Sequence, residues 1–255
     1  MDTKPRRNII LPVTLILLIF SVSLNYYLYD KLKLYISVLY STELDPLGLS
    51  YFQDEHLEHT NEKPLVVFFG DSRAQFWTSP SISEFVFVNR GLGNQTSAQI
   101  ANRFDEHVKL LKPDIVILQL CINDIKTIPL FPNKKQEIVT NCIENIQRIV
   151  QDSLNTNATV IVTTVIPPTE EIPLSRRLIA WSDDVYSAVD EVNTYILSMS
   201  GEHLIVFDTA KLISNEKRMM KPEYSSDHLH LNSVGYEILN RELEEILKEI
   251  KQTSR

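Results

Sequence analysis

Two cysteines among 255 residues, Cys121 and Cys142, are too few for a disulfide framework, and neither stands in a Cys-x-x-Cys or zinc-type spacing. A single bridge between them is the only disulfide the chain has available. Positive charge is also short, with 25 Lys and Arg against 33 Asp and Glu. The resulting net charge of −8, with no basic stripe, argues against nucleic acid or an anionic membrane surface as the main partner. Internal repeats and low-complexity tracts are absent, which leaves an ordinary globular chain, long enough for one domain of about 200 residues plus an appendage.

Charge is missing altogether from Asn8 to Tyr29. About 22 residues there face a hydrocarbon core that needs about 20, so the stretch is a membrane segment or a signal peptide. Lys4, Arg6 and Arg7 precede it, whereas Asp30 opposes Lys31 and Lys33 beyond it, and this asymmetry places the N-terminus in the cytoplasm. A removed signal would end in small residues, but this run ends in Asn25, Tyr26, Tyr27, Leu28 and Tyr29, an interfacial aromatic belt. The reading is a cytoplasmic tail at 1–7, an uncleaved anchor at 8–29 and everything after it outside the cytoplasm. Residues 30–63 read as a helical continuation of the anchor followed by a polar spacer. His56 and His59 in that spacer have i, i+3 spacing, open to a metal, but a solvated polar face is the preferred reading.

A domain is expected over 64–251. LVVFFG, EFVFVN, DIVILQL, TVIVTTVI and HLIVFD read as five strands, apolar throughout. Between them, Ile100, Phe104, Val108 and Leu111 mark one face of a helix that stops before Pro113. Ile138 to Val150, Val185 to Ile196, and Leu239 to Ile250 mark three more. Strands without polar alternation, separated by amphipathic helices, require a parallel sheet covered on both faces, a three-layer α/β/α sandwich.

Ligands of such sheets bind beyond the carboxyl ends of the strands, so the informative residues follow each strand. Gly70, Asp71 and Ser72 follow the first, and a serine there stands beside the free N–H groups of a helix start, where a nucleophile belongs. Asn89 to Thr96 follow the second strand and Cys121 to Asp124 the third, while Asp227 to His230 precede the last helix.

Together these four blocks, GDS, NRGLGNQT, CIND and DHLH, resemble the SGNH or GDSL hydrolases, serine esterases and lipases on a flavodoxin-like sheet. The resemblance spans about Pro64 to Ile250. It departs from the family pattern at Asn94 and Cys121, where glycines are usual. It implies Ser72 as nucleophile, His230 as base and Asp227 as the acid that orients the imidazole and stabilises its charged form. His228 is the rival base, and Asp227, His228 and His230 as a metal site lack a second cluster to complete the ligand set. The oxyanion would be held by the Ser72 N–H, the Asn123 side-chain amide and the N–H of Asn94, with Gly93 as the alternative donor. Asp71 and Asp124 are expected to brace turns, and Cys121 to pack below the site in preference to acting as a reactive thiol.

The reaction so implied is ester hydrolysis through an acyl-enzyme, with no metal or organic cofactor. Gly70 to Ala74 also nearly spells the G-x-S-x-G elbow of α/β-hydrolases, but there several strands precede the serine, and acid and base stand well apart. Transfer of the acyl group to an extracytoplasmic glycan, and a tethered binding module without activity, remain as alternatives. The partner is a small-molecule, lipid or glycan ester, and the loop from Pro167 to Trp181, with Arg176, Arg177 and Trp181, borders the expected pocket.

Overall fold

The computed structural model describes residues 9–53 and 62–253. The chain falls into two compact units, Met1–Pro46 and Leu47–Arg255.

In the first unit, α1 (Ile10–Leu44) is one unbroken helix with no buried residue. At 1.5 Å per residue it is about 52 Å long, well over the roughly 30 Å of a hydrocarbon core. Among the described residues it is the one helix long and apolar enough to cross a membrane. It runs past Tyr29 through the charged segment that follows. The flanking Lys4, Arg6 and Arg7, and the His56 and His59 pair, lie outside the described residues.

The second unit is built on five parallel strands: β1 (Leu65–Gly70), β2 (Val86–Gly91), β3 (Ile115–Gln119), β4 (Thr159–Thr163) and β5 (Leu204–Phe207). Their spatial order is β2-β1-β3-β4-β5, the flavodoxin-like arrangement. The chain leaves β1 toward β2 and then returns to the other side of β1 as β3, so the crevice opens at the carboxyl ends of β1 and β3. Register sharpens this: Gly70 pairs with both Gly91 and Gln119, so three strands end level on one rim.

Successive strand residues point to opposite faces. On one face Leu65, Val67, Phe69, Val116 and Leu118 pack against α6 (Lys135–Leu154) and α8 (Asp184–Ser198). On the other, Val66, Phe68, Ile115 and Ile117 pack against Trp77 and α10 (Ser233–Thr253). Each fully buried aliphatic or aromatic side chain contributes about 1.5–3 kcal/mol, which is what holds helices to both faces.

The helix expected across Ile100 to Leu111 is broken into α3 (Ser97–Asn102), α4 (Phe104–His107) and a 3-10 turn at Lys109–Leu111. The break falls at Arg103, with φ −103° and ψ 8°, whose side chain is wholly buried. Periodicity reported correctly that Ile100, Phe104 and Val108 are inside. It carries no information on whether the axis is continuous.

Further short helices close the rim: α2 (Ser72–Gln75) and α5 (Ile122–Ile125) follow β1 and β3, α7 (Leu174–Ile179) forms within the expected Pro167–Trp181 loop, and α9 (Thr209–Ile213) follows β5. The unit begins before Pro64. Leu47 accepts a 2.8 Å hydrogen bond from Gln95 Nε2, and the Phe52 ring lies under the Arg90 guanidinium at 4.3 Å and edge-on to His107 at 4.9 Å.

Candidate active site

The end of β1 is crowded. A Cβ on Gly70 would overlap the carbonyl oxygen of Gln119 and one on Gly91 would overlap the backbone of Gln75, so both strands turn into their loops only with glycine there. Asp71 caps α2, its Oδ1 accepting from the Arg73 N–H at 2.9 Å. Its own N–H donates to the Gln119 carbonyl at 3.1 Å, pinning the turn to β3. Asp71 is fully buried, which pushes its carboxyl up against the opposing pull of Arg73, and its Oδ2 has no partner among the described residues. Ser72 is the first residue of α2, and its side chain emerges at the rim.

Across that rim runs the segment ahead of α10. Asp227 Oδ1 accepts the N–H groups of Leu229 at 2.6 Å and His230 at 2.8 Å, closing a turn that fixes the His230 backbone. Asp227 Oδ2 lies 2.8 Å from His230 Nδ1, and His230 Nε2 lies 2.9 Å from Ser72 Oγ. Partial burial alone would raise the Asp227 carboxyl. The hydrogen bonds from the His230 ring and from the Leu229 and His230 amides outweigh it and hold the group at about 2. Phe76, one turn after Ser72, meets the His230 ring edge-on at 5.7 Å. His228 meets Trp181 edge-on at 6.1 Å, and burial lowers its basicity.

Two further loops follow β2 and β3 at the same rim. Asn94 adopts φ 62° and Cys121 φ 87°, both in the left-handed region. This is why glycine suits these positions, and asparagine enters that region more easily than cysteine. The Gly93 N–H is taken by Gln75 Oε1 at 3.0 Å, whereas the Asn94 N–H has no partner among the described residues. Asn123 is buried, and its Nδ2 donates one hydrogen to the Gln95 carbonyl at 3.0 Å, leaving the second. Asp124 braces, as expected of it, but at a distance: its oxygens accept the Ser97 N–H and hydroxyl, each at 2.8 Å, tying α5 to the start of α3. Cys121 is wholly buried and burial raises its thiol well above the ordinary value, so it packs and does not present a thiolate. Cys121 and Cys142 are both free.

Residues 68–238 match the family model described as GDSL-like lipase/acylhydrolase. The chain belongs to the GDSL-like lipase/acylhydrolase family. Membership makes it a hydrolase acting on ester bonds. Its fold is shared with a GDSL-like lipase from Bacteroides thetaiotaomicron, at 19% identity and TM-score 0.61, covering 80% of this chain and 98% of that one. It is shared also with a lipase/acylhydrolase from Enterococcus faecalis, at 21% identity, TM-score 0.52 and coverage of 74% and 96%. An acetyl xylan esterase from Geobacillus stearothermophilus aligns at 18% identity, TM-score 0.50 and coverage of 70% and 91%. No curated protein matches the chain significantly.

Two buried arginines that the GDSL family blocks do not name hold these loops together. Arg73 donates from Nε at 3.0 Å and Nη2 at 2.8 Å to the Leu229 carbonyl, and from Nη1 to Ile166. Its own carbonyl accepts the Tyr236 hydroxyl of α10 at 2.9 Å. Arg103 donates to the carbonyls of Gly70 and Arg90, each at 2.8 Å, and to Gln95 Oε1, with its guanidinium 4.4 Å over the Phe69 ring. Burial lowers the Arg103 guanidinium to about 9, opposed by Asp71. Sequence held one signal for Arg103, a charged residue on the apolar face marked by Ile100 and Phe104. Arg73 directly follows the serine, and nothing in its sequence neighbourhood signals its burial.

Proposed function

We propose that this acylhydrolase cleaves esters with Ser72 as nucleophile, His230 as general base and acid, and Asp227 as the group that orients His230. One chain of contacts carries the reading: Ser72 Oγ to His230 Nε2 at 2.9 Å and His230 Nδ1 to Asp227 Oδ2 at 2.8 Å. Asp227 holds the proton on Nδ1, which leaves Nε2 as acceptor toward the serine hydroxyl. Attack on the ester carbonyl transfers that proton to Nε2. His230 then delivers it to the departing alcohol, and water reverses the relay to free the acid.

Negative charge on the former carbonyl oxygen would be met by the Ser72 N–H, the Asn94 N–H and the second Nδ2 hydrogen of Asn123. Donors of this kind contribute about 3–4 kcal/mol each. The occupied Gly93 amide supports Asn94 over Gly93. Labelling with a fluorophosphonate tests the reading: modification confined to Ser72, and lost in Ser72→Ala, supports it, while labelling elsewhere or none opposes it. Product analysis of an acetyl ester with and without an oligosaccharide acceptor then separates hydrolysis from transfer.

We propose further that α1 is an uncleaved anchor that crosses the membrane once, with the N-terminus cytoplasmic and the enzyme outside. The length and apolar character of α1 and the order of charges around it support this. Protease added to intact cells should then remove the enzyme unit.

A further inference from the structure

Beside the proposed triad lies a cavity of about 140 Å³ whose lining includes Lys126, Arg176, Trp181, His228 and Leu229. Two of the three segments that bound it are continuous with those of the proposed site. Lys126 follows α5 directly, three residues after Asn123, and His228 and Leu229 immediately precede His230. At 3.8 Å between successive Cα atoms, the His228 backbone is within about 7.6 Å of that of His230.

The charge of this cavity runs against that of the whole molecule. In a chain of net charge −8 its lining holds two cations, an imidazole and an indole, and no carboxylate. Lys126 and Arg176 make no ion pair among the described residues. Two acids outside the cavity lining attract Lys126 without pairing with it: Asp71, whose Oδ1 accepts the Arg73 N–H, and Asp124, whose oxygens accept from Ser97. Burial lowers Lys126, Asp71 opposes that shift, and Arg176, on the wall of the same cavity, adds to it. Two cations on one small concave space with no carboxylate in its lining repel each other, and an anion between them relieves this through charge-assisted hydrogen bonds. Trp181, held edge-on by Tyr186 at 5.6 Å and by His228, provides a rigid flat wall for a ring.

We infer that this cavity is a substrate subsite that holds a carboxylate or phosphate carried on the alcohol half of the ester. The assignment rests on the triad proposed above, and the choice of half follows from it: the leaving oxygen takes its proton from His230, and the cavity wall is the stretch leading into His230. A neutral ester fills the serine site and leaves the two cations without an anion in the cavity. An ester of an acidic alcohol answers both at once.

Three aryl acetates, each followed by release of acetate, test this: para-acetoxybenzoate, its neutral methyl ester, and para-acetoxyphenyl phosphate. The expected result is that kcat/KM for at least one anion exceeds that for the methyl ester by about tenfold or more, a charge-assisted contact's worth. The ratio of anionic to neutral kcat/KM should fall by about tenfold in Lys126→Gln combined with Arg176→Gln. The carboxylate and phosphate arms tell which anion fits. Arg176→Gln alone, on an exposed side chain, keeps the ratio readable should the double variant melt early. An unchanged ratio in the variants overturns the subsite, as does a wild-type preference for the methyl ester. The underlying reading fails separately: a Ser72→Ala protein that still turns over these esters sinks the triad whatever the charge preference.

Discussion

The Arg73 guanidinium grips the Leu229 carbonyl with two of its nitrogens, at 3.0 and 2.8 Å, so the residue after Ser72 holds the residue before His230. Two segments more than 150 residues apart are thereby locked in register by a group that touches neither of the proposed reacting atoms. Arg73→Met is expected to lower kcat by about a hundredfold with a smaller change in KM, because a displacement near 1 Å at the reacting atoms suffices for that. Arg73→Lys should not restore it, since a single ammonium does not reproduce the fork. Steady-state kinetics on a model ester, with the rate of fluorophosphonate labelling, checks this. A variant that loses only stability and keeps kcat would reduce Arg73 to a packing role.

Ser72→Ala and His230→Ala should each reduce turnover by about a thousandfold or more. Ser72 is small and at the rim, so its alanine variant should melt near the wild-type temperature. Combining the two changes should cost little beyond either alone, as expected for groups that work as a unit. Additive losses would mean that they do not.

Asp227 gives a pH signature in stability. Its folded carboxyl sits at about 2, below the ordinary 3.8, so the stabilisation from its hydrogen bonds is complete above about pH 4 and is lost as pH falls through 2. Wild-type and Asp227→Asn melting curves, recorded from pH 5 down to 2, should converge toward the acid end. Curves that stay parallel would contradict the assignment. The same variant should lose turnover by about a hundred- to ten-thousandfold, because asparagine can hold the imidazole in the wrong tautomer.

Asn94 tests the backbone at the second loop. At φ 62° a residue with Cβ is strained unless its side chain suits the region, so Asn94→Ala should lower stability by about 1 kcal/mol relative to Asn94→Gly. Denaturant titrations of the two variants measure the difference. Equal midpoints would mean the loop relaxes out of the left-handed conformation.

The segment from Leu47 to Gln53 should matter to the enzyme unit although it precedes the first strand. A chain starting at Leu47 should melt higher than one starting at Pro64, by several degrees, because the shorter chain uncovers His107 and the Arg90 guanidinium that Phe52 covers, and leaves Gln95 Nε2 without its carbonyl. Identical melting would show that the segment only rides on the surface.

Much of this molecule is written locally. Apolar runs such as Leu65 to Gly70 and Ile115 to Gln119 name buried parallel strands, because only a sheet covered on both faces tolerates them, and that architecture places its ligands at strand ends. Ser72 and Asn123 were therefore readable as candidates from their place after strands, whereas Asp227 and His230, ahead of the last helix, were singled out by the resemblance to GDSL hydrolases. What tertiary structure alone decided is how those ends are tied: Arg73 to Leu229, Arg103 to Gly70, Gln75 to the Gly93 amide, and Lys126 beside Arg176. Burial patterns depend on each residue's own hydrophobicity and repeat with the local helix or strand, so they survive in one dimension. A hydrogen bond from a buried arginine depends on which carbonyl the fold brings to it from a distant strand, and no local property of either residue records that meeting.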